Sequence, residues 1–246
     1  MSLNTLTKKI YFGFLLLTGL LALNALRVQA ETAKSPETIV IAGVERVLEK
    51  FEDEHPKDKS KVMYTYYTDG GRPVLQGTFM RWSSGGEKIF EARYEQGKLN
   101  GRVTEWYGLG ETKSEVDYVD GEKHGKRQDW FQGGEKSTEI DYIHDEVQGK
   151  VVRWYRSGQM ESEAPYELGL LNGTWTGWYE NGNKKFERNF KNGLRQGKSI
   201  RWYENDDKMY ETDYDNDQRH GNHLWWDENG NLVKKVQYRD GKLISS

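Results

Sequence analysis

The sequence predicts an all-β fold: an elongated, solenoid-like array of antiparallel β-hairpins in seven 24-residue repeats, with an N-terminal capping α-helix. Three observations predict it. Gly77, Gly101, Gly125, Gly149, Gly173, Gly197 and Gly221 recur every 24 residues, as do Trp82, Trp106, Trp130, Trp154, Trp178, Trp202 and Trp226. A closing aromatic follows in every unit: Tyr94, Tyr118, Tyr142, Tyr166, Phe190, Tyr214 and Tyr238. A fixed period of this length without insertions is the signature of a repeat architecture, and glycines this dense leave no room for a helix in each unit.

Residues 1–30 read as a signal peptide. Lys8 and Lys9 precede the apolar run from Ile10 to Leu23, and Val28-Gln29-Ala30 ends the segment on a small residue. The expected location is therefore outside the cytoplasm, in the periplasm or cell envelope; an inner-membrane anchor over 10–26 is the alternative. Residues 31–61 read as a capping helix and a charged linker. Ser35, Pro36 and Glu37 suit a helix start, and Val40, Val44, Val47, Leu48 and Phe51 fall on one stripe at helical spacing. Residues 62–246 form the repeat domain, with an opening strand from Val62 to Tyr67 and repeats from 77 to 244.

Each unit reads as two strands around a turn such as Glu180-Asn181-Gly182. A two-residue turn would put the tryptophans on the same side as Glu91, Glu115, Glu139, Glu163, Glu187 and Glu211. A three-residue loop ending in a left-handed glycine instead pairs Glu105 with Lys113 and Arg153 with Glu161. In that register each tryptophan shares a dry face with residues such as Phe90, Ala92 and Tyr94, and the glutamates point to a wet face. A hairpin array leaves two ends; the helix covers the first, and the C-terminal edge is where a second copy could pair.

The chain has no Cys, 36 basic and 39 acidic residues, and 13% aromatic residues. The missing cysteines exclude disulfides, thiolate metal sites and a cysteine nucleophile. Beyond residue 30 the balance is 33 basic to 39 acidic, which argues against a nucleic-acid partner. No nucleophile elbow, P-loop, dinucleotide fingerprint or zinc-protease motif is present, so neither an enzyme nor a cofactor is expected.

The segments Tyr94-Glu95-Gln96-Gly97-Lys98-Leu99-Asn100-Gly101 and Tyr118-Val119-Asp120-Gly121-Glu122-Lys123-His124-Gly125 resemble MORN repeats, and the Trp-Tyr-x-x-Gly that follows resembles the bacterial MORN-variant type. This chain departs from the standard pattern where Phe79, Val103, Arg127, Val151, Trp175, Ser199 and His223 replace a second glycine. The resemblance implies hairpin arrays used as scaffolds, as membrane-associated modules, or as antitoxins of toxin-antitoxin pairs.

Two groups of residues are candidates for partner binding. Tyr107, Phe131, Tyr155, Tyr179 and Tyr203 each follow a tryptophan, so alternation puts them on the opposite, wet face. They either pack on neighbouring loops or form a strip for an extended peptide, a glycan or lipid headgroups. On the same wet face Glu115, Glu139 and Glu163 offer carboxylates to a basic partner. Pairs such as Glu115 with Asp117 supply fewer oxygens than a calcium ion takes, so no metal site is assigned. The histidines read as surface residues. The expected activity is that of an exported, non-enzymatic scaffold for a protein or an extended polymer, with antitoxin and membrane-surface roles as alternatives.

Overall fold

A computed structural model describes residues 36–245. The expected export segment at 1–30 lies outside the described residues. From Glu49 to Ser245 the chain is an antiparallel meander in which consecutive strands pair, beginning with Glu49–Glu54, Lys61–Asp69, Arg72–Trp82 and Lys88–Glu95. Its hydrogen-bonded registers run from Glu49–Glu54 to Lys242–Ser245, and among the described residues none links the last strand to the first.

The capping helix is not formed. Thr38–Ile41 and Val44–Val47 make a separate two-stranded hairpin, and Glu49–Glu54 is the first strand of the meander. Ala42-Gly43 form its turn with φ of 50° and 78°. The β-branched run on either side of that turn outweighs the helical stripe: Ile39, Val40, Ile41 and Val44 pack well on a pleated surface and lose rotamer freedom in a helix. The predicted opening strand is present within Lys61–Asp69.

Every repeat uses two kinds of turn. The first is the predicted three-residue loop: the Tyr179 amide donates to the Asn183 carbonyl at 2.8 Å, the Gly182 amide donates to the Tyr179 carbonyl at 3.0 Å, and Gly182 has φ of 90°. The second is a two-residue turn with both φ positive, as at Asn192 (51°) and Gly193 (82°), whose twist matches that of the flanking strands. Its second amide stitches the repeats together: Gly193 donates to the Leu171 carbonyl at 2.8 Å, and Gly97, Gly121 and Gly169 donate in the same way.

Leu168 occupies the first position of such a turn with φ of 49° and is 72% exposed. A bulky side chain is strained there, and nothing is gained by burial. Leu168→Asn is expected to raise stability by about 1 kcal/mol, because asparagine tolerates the left-handed conformation. A chemical denaturation midpoint that stays the same or falls would count against this.

The faces of the sheet differ from the sequence reading. Three residues beyond the end of each three-residue loop the strand carries an extra residue, so Trp178 pairs with Lys184 while Gly177 pairs with Phe186, leaving Lys185 unpaired. The same bulge occurs at Ile89, Lys113, Ser137, Glu161, Met209 and Val233. One inserted residue reverses which side chains face together. The tryptophans therefore lie with the glutamates, half-buried, and the dry row is Phe79, Ala92, Val103, Val116, Val151, Ala164 and Val236 on the other side.

Candidate functional site

The glutamates form one transverse row. Met80, Glu91, Thr104, Glu115, Gln128, Glu139, Val152, Glu163, Thr176, Glu187, Ile200 and Glu211 are successive cross-strand partners. Beside the row, a lysine repeatedly holds the glutamate and covers an indole of the next repeat. Lys88 lies 2.6 Å from Glu91 with its ammonium 4.5 Å from the Trp106 ring; Lys136, Lys184 and Lys208 do the same for Glu139 and Trp154, Glu187 and Trp202, and Glu211 and Trp226. Each such contact contributes roughly 0.5 to 1 kcal/mol at a partly exposed site.

A second cation reaches the same carboxylates from the other edge. Lys126 sits 2.5 Å from Glu139 and 3.6 Å from Asp141; Arg102 spans Glu115 at 3.2 Å and Asp117 at 2.9 Å; Lys150 is 2.7 Å from Glu163. Hydrogen bonds from Lys126 and then Lys136 bring Glu139 down to about 2. Burial pushes Glu211 up, but bonds from Lys198 and Lys208 more than offset it and the net direction is down. The three predicted site residues Glu115, Glu139 and Glu163 thus serve the internal charge pairing of the tryptophan side.

Tyr107, Phe131, Tyr155, Tyr179 and Tyr203 lie on the opposite side, as adjacent-residue alternation predicts, so the expected joint aromatic and acidic face does not exist. All five rings are half-buried. Four of them couple neighbouring repeats: the hydroxyls of Tyr107, Tyr155, Tyr179 and Tyr203 donate to the carbonyls of Trp130, Trp178, Trp202 and Trp226 at 2.8 to 3.0 Å. Phe131 has no hydroxyl, and the Arg156 guanidinium packs over its ring at 5.0 Å while donating to the Gln132 carbonyl at 2.7 Å. The row packs against neighbouring repeats and still leaves part of each ring open.

This side also holds a groove of about 520 Å³, lined by Phe90, Val103, Tyr107, Val116, Arg127 and Phe131 among others. Two ion pairs sit in its wall, Glu105 with Lys113 at 3.4 Å and Arg127 with Asp129 at 3.0 Å. The first is one of the two pairs the sequence register anticipated, retained because the bulged Lys113 stays beside Glu105; the other, Arg153 with Glu161, forms no ion pair among the described residues.

Sequence reasoning missed the two rows behind the rings. Trp175, Arg188, Ser199, Thr212, His223 and Val236 are successive partners, as are Gly177, Phe186, Arg201, Tyr210, Trp225 and Lys234. His223 is not a surface histidine: it is 5% exposed and stacks on Trp225 at 3.6 Å. Its place in the series occupied by Phe79, Val103 and Val151 was the available signal, since those equivalents are buried. His124 and His144 also approach, ring to ring at 5.2 Å, with Glu122 at 2.8 Å from His144 Nδ1.

Residues 147–168, 171–192 and 219–244 match the family model described as the MORN repeat variant. No curated protein matches the chain. The three matched segments cover hairpins of the same meander and fall in step with its 24-residue period, so in these segments the array is similar to the MORN repeat variant.

Proposed function

We propose that this protein is an exported, non-enzymatic repeat scaffold that binds a protein through the side of the sheet bearing Tyr107, Phe131, Tyr155, Tyr179 and Tyr203. One observation carries the reading: these rings form an evenly spaced, half-open row, with a groove of about 520 Å³ at Tyr107 and Phe131, on the side that the glutamate row does not occupy. The hydroxyl bonds between repeats hold the rings in place before any partner arrives, which lowers the ordering cost of binding. Burying aromatic rings is among the most productive contributions to a protein interface. MORN-type repeats support a binding role over a catalytic one, and the signal-like segment at 1–30 supports export.

Partners captured from a cell-envelope fraction by the native chain should be lost with alanine at Phe131, Tyr155 and Tyr179. A matching variant on the other side, Lys126→Gln with Lys150→Gln, should retain them. Thermal midpoints of both variants establish that the sheet is intact. Equal recovery by native and alanine-substituted chains would reject the ring row as the binding surface.

A further inference from the structure

We propose that the second half of the ring-bearing side binds an extended acidic segment of a partner protein. The inference rests on the scaffold reading and names the chemistry of the partner. Arg153, Arg201 and Lys234 share one transverse row with Ser162, Gly177, Phe186, Tyr210 and Trp225, and Arg188 stands in the next. None of these four cations has an ion-pair partner among the described residues. Lysines on the opposite side of the same strands do, as with Lys150 and Glu163 at 2.7 Å and Lys208 and Glu211 at 2.7 Å.

The segregation follows from the bulge. By reversing the faces it sends Glu163, Glu187, Glu211 and Asp213 to the tryptophan side and leaves the arginines with the rings. Asp217, held by Arg195 at 2.8 Å, remains near the cationic rows, as do Glu161 in the bulge and Glu180 and Glu204 in the loops around Tyr155. The first half of the same side is different, because Glu105 with Lys113 and Arg127 with Asp129 neutralise each other there. An acidic segment would thus be drawn to the C-terminal hairpins.

Aromatic rings prepare the cations for a carboxylate. The Arg188 guanidinium lies 4.6 Å from the Phe186 ring and 5.4 Å from Trp175, and Lys234 lies 5.0 Å from Trp225. A ring face strips water from one side of the cation and leaves its remaining N–H groups to a ligand. Four polar atoms in these two rows are buried without any hydrogen-bond partner: Trp175 Nε1, Arg201 Nε, Thr212 Oγ1 and His223 Nδ1. Thr212 and His223 are 1% and 5% exposed. Buried groups left unpaired in this way are costly, and they give the two rows a polar interior behind the exposed cations.

The spacing selects a protein chain over a bilayer. Arg153 and Arg201 are four strand steps apart, and Arg201 and Lys234 three, roughly 19 and 14 Å at about 4.8 Å per step. An extended chain advances about 3.3 Å per residue, so carboxylates four to six residues apart fall in register. Lipid phosphates have no such fixed spacing, and half-buried Arg188 and Arg201 sit between rings that a flat surface does not enter.

The test uses the full chain and a fluorescein-labelled extended peptide with glutamate at every fifth position. A glutamine-substituted peptide and anionic phosphatidylserine vesicles are the comparisons. The glutamate peptide should bind at least about tenfold tighter than its glutamine counterpart, with affinity falling as salt rises. Arg153→Gln with Lys234→Gln, both exposed and therefore harmless to folding, should weaken it by about tenfold; Lys198→Gln on the other side should leave it unchanged. Arg188→Gln with Arg201→Gln should abolish it, and Arg188→Lys with Arg201→Lys should restore part. Equal affinity for the two peptides, or an Arg153→Gln/Lys234→Gln variant that binds normally, overturns the proposal. So does binding to vesicles alone. Partners captured from the envelope through Phe131, Tyr155 and Tyr179 would in that event still uphold the scaffold reading.

Discussion

Alanine at Gly173 is expected to lower stability by about 2 to 4 kcal/mol, while alanine at Gly197, the next member of the same series, costs about 1 to 2 kcal/mol. Both glycines have positive φ, 118° and 78°, so both substitutions bear the backbone penalty of an L-residue in that region. They differ in what the new methyl meets. At Gly173 a Cβ would stand 2.9 Å from Cγ of Pro165, a ring fused to its own backbone that cannot rotate away. At Gly197 nothing lies within 4 Å. The Gly173 strand also sits between inter-repeat bonds, from the Tyr155 hydroxyl to the Trp178 carbonyl and from the Gly193 amide to the Leu171 carbonyl. In a linear array, weakening one unit uncouples its neighbours. Urea unfolding followed by tryptophan fluorescence should show a lower midpoint and a broader transition for Gly173→Ala than for Gly197→Ala. Equal losses would mean that the series is kept for backbone conformation alone.

The same glycines explain how much of the fold was legible. A residue needed for positive φ leaves a mark in the sequence, and so Gly182 and its equivalents revealed the period, the hairpins and the three-residue loop. The bulge at Lys185 and its equivalents left none. It is occupied by Ile89, Lys113, Ser137, Glu161, Lys185, Met209 and Val233, which share neither size nor charge, because an unpaired strand residue needs only allowed extended or helical dihedrals. The 24-residue spacing is the same with or without it. Its consequence is nevertheless large, since it exchanges the faces: the tryptophans join Glu139 and Glu163, and the cations Arg188 and Arg201 join the rings. The placement of the ring row opposite the tryptophans was legible, because adjacent residues on one strand face opposite sides whatever the register. At the N-terminus, Val40, Val44, Val47 and Phe51 satisfied a helical period by chance, and Gly43 between two β-branched runs was the contrary evidence.

Stability of the C-terminal hairpins is expected to fall as pH drops from about 6.5 to about 4, and His223 is the group responsible. It packs against Thr212, Tyr210, Trp225, Val236 and Tyr238, and the charged groups facing it are Arg219 from its own strand and Lys234 from the next. Burial first, then the positive charges of Arg219 and Lys234, bring its imidazole down from 6.5 to about 4. In the folded chain it stays neutral through this window, whereas in the unfolded chain it takes up a proton below about 6.5. Unfolding then binds a proton, so stability is full above the unfolded value and declines by up to about 1.4 kcal/mol per pH unit as acid is added. Below about 4 the folded ring protonates too and the decline ends. The accumulated loss is on the order of 2 to 3 kcal/mol. Carboxylates such as Glu139 act in a lower range, since its folded value is about 2. His223→Phe keeps a ring on Trp225 and removes the titration; its Nδ1 has no hydrogen bond to lose. The difference in unfolding free energy between native and variant chains, measured at intervals from pH 7 to 4, should therefore shift toward the variant by 2 to 3 kcal/mol. Parallel profiles across that range would show that the imidazole is hydrated or charged in the folded state and that its burial carries no pH dependence.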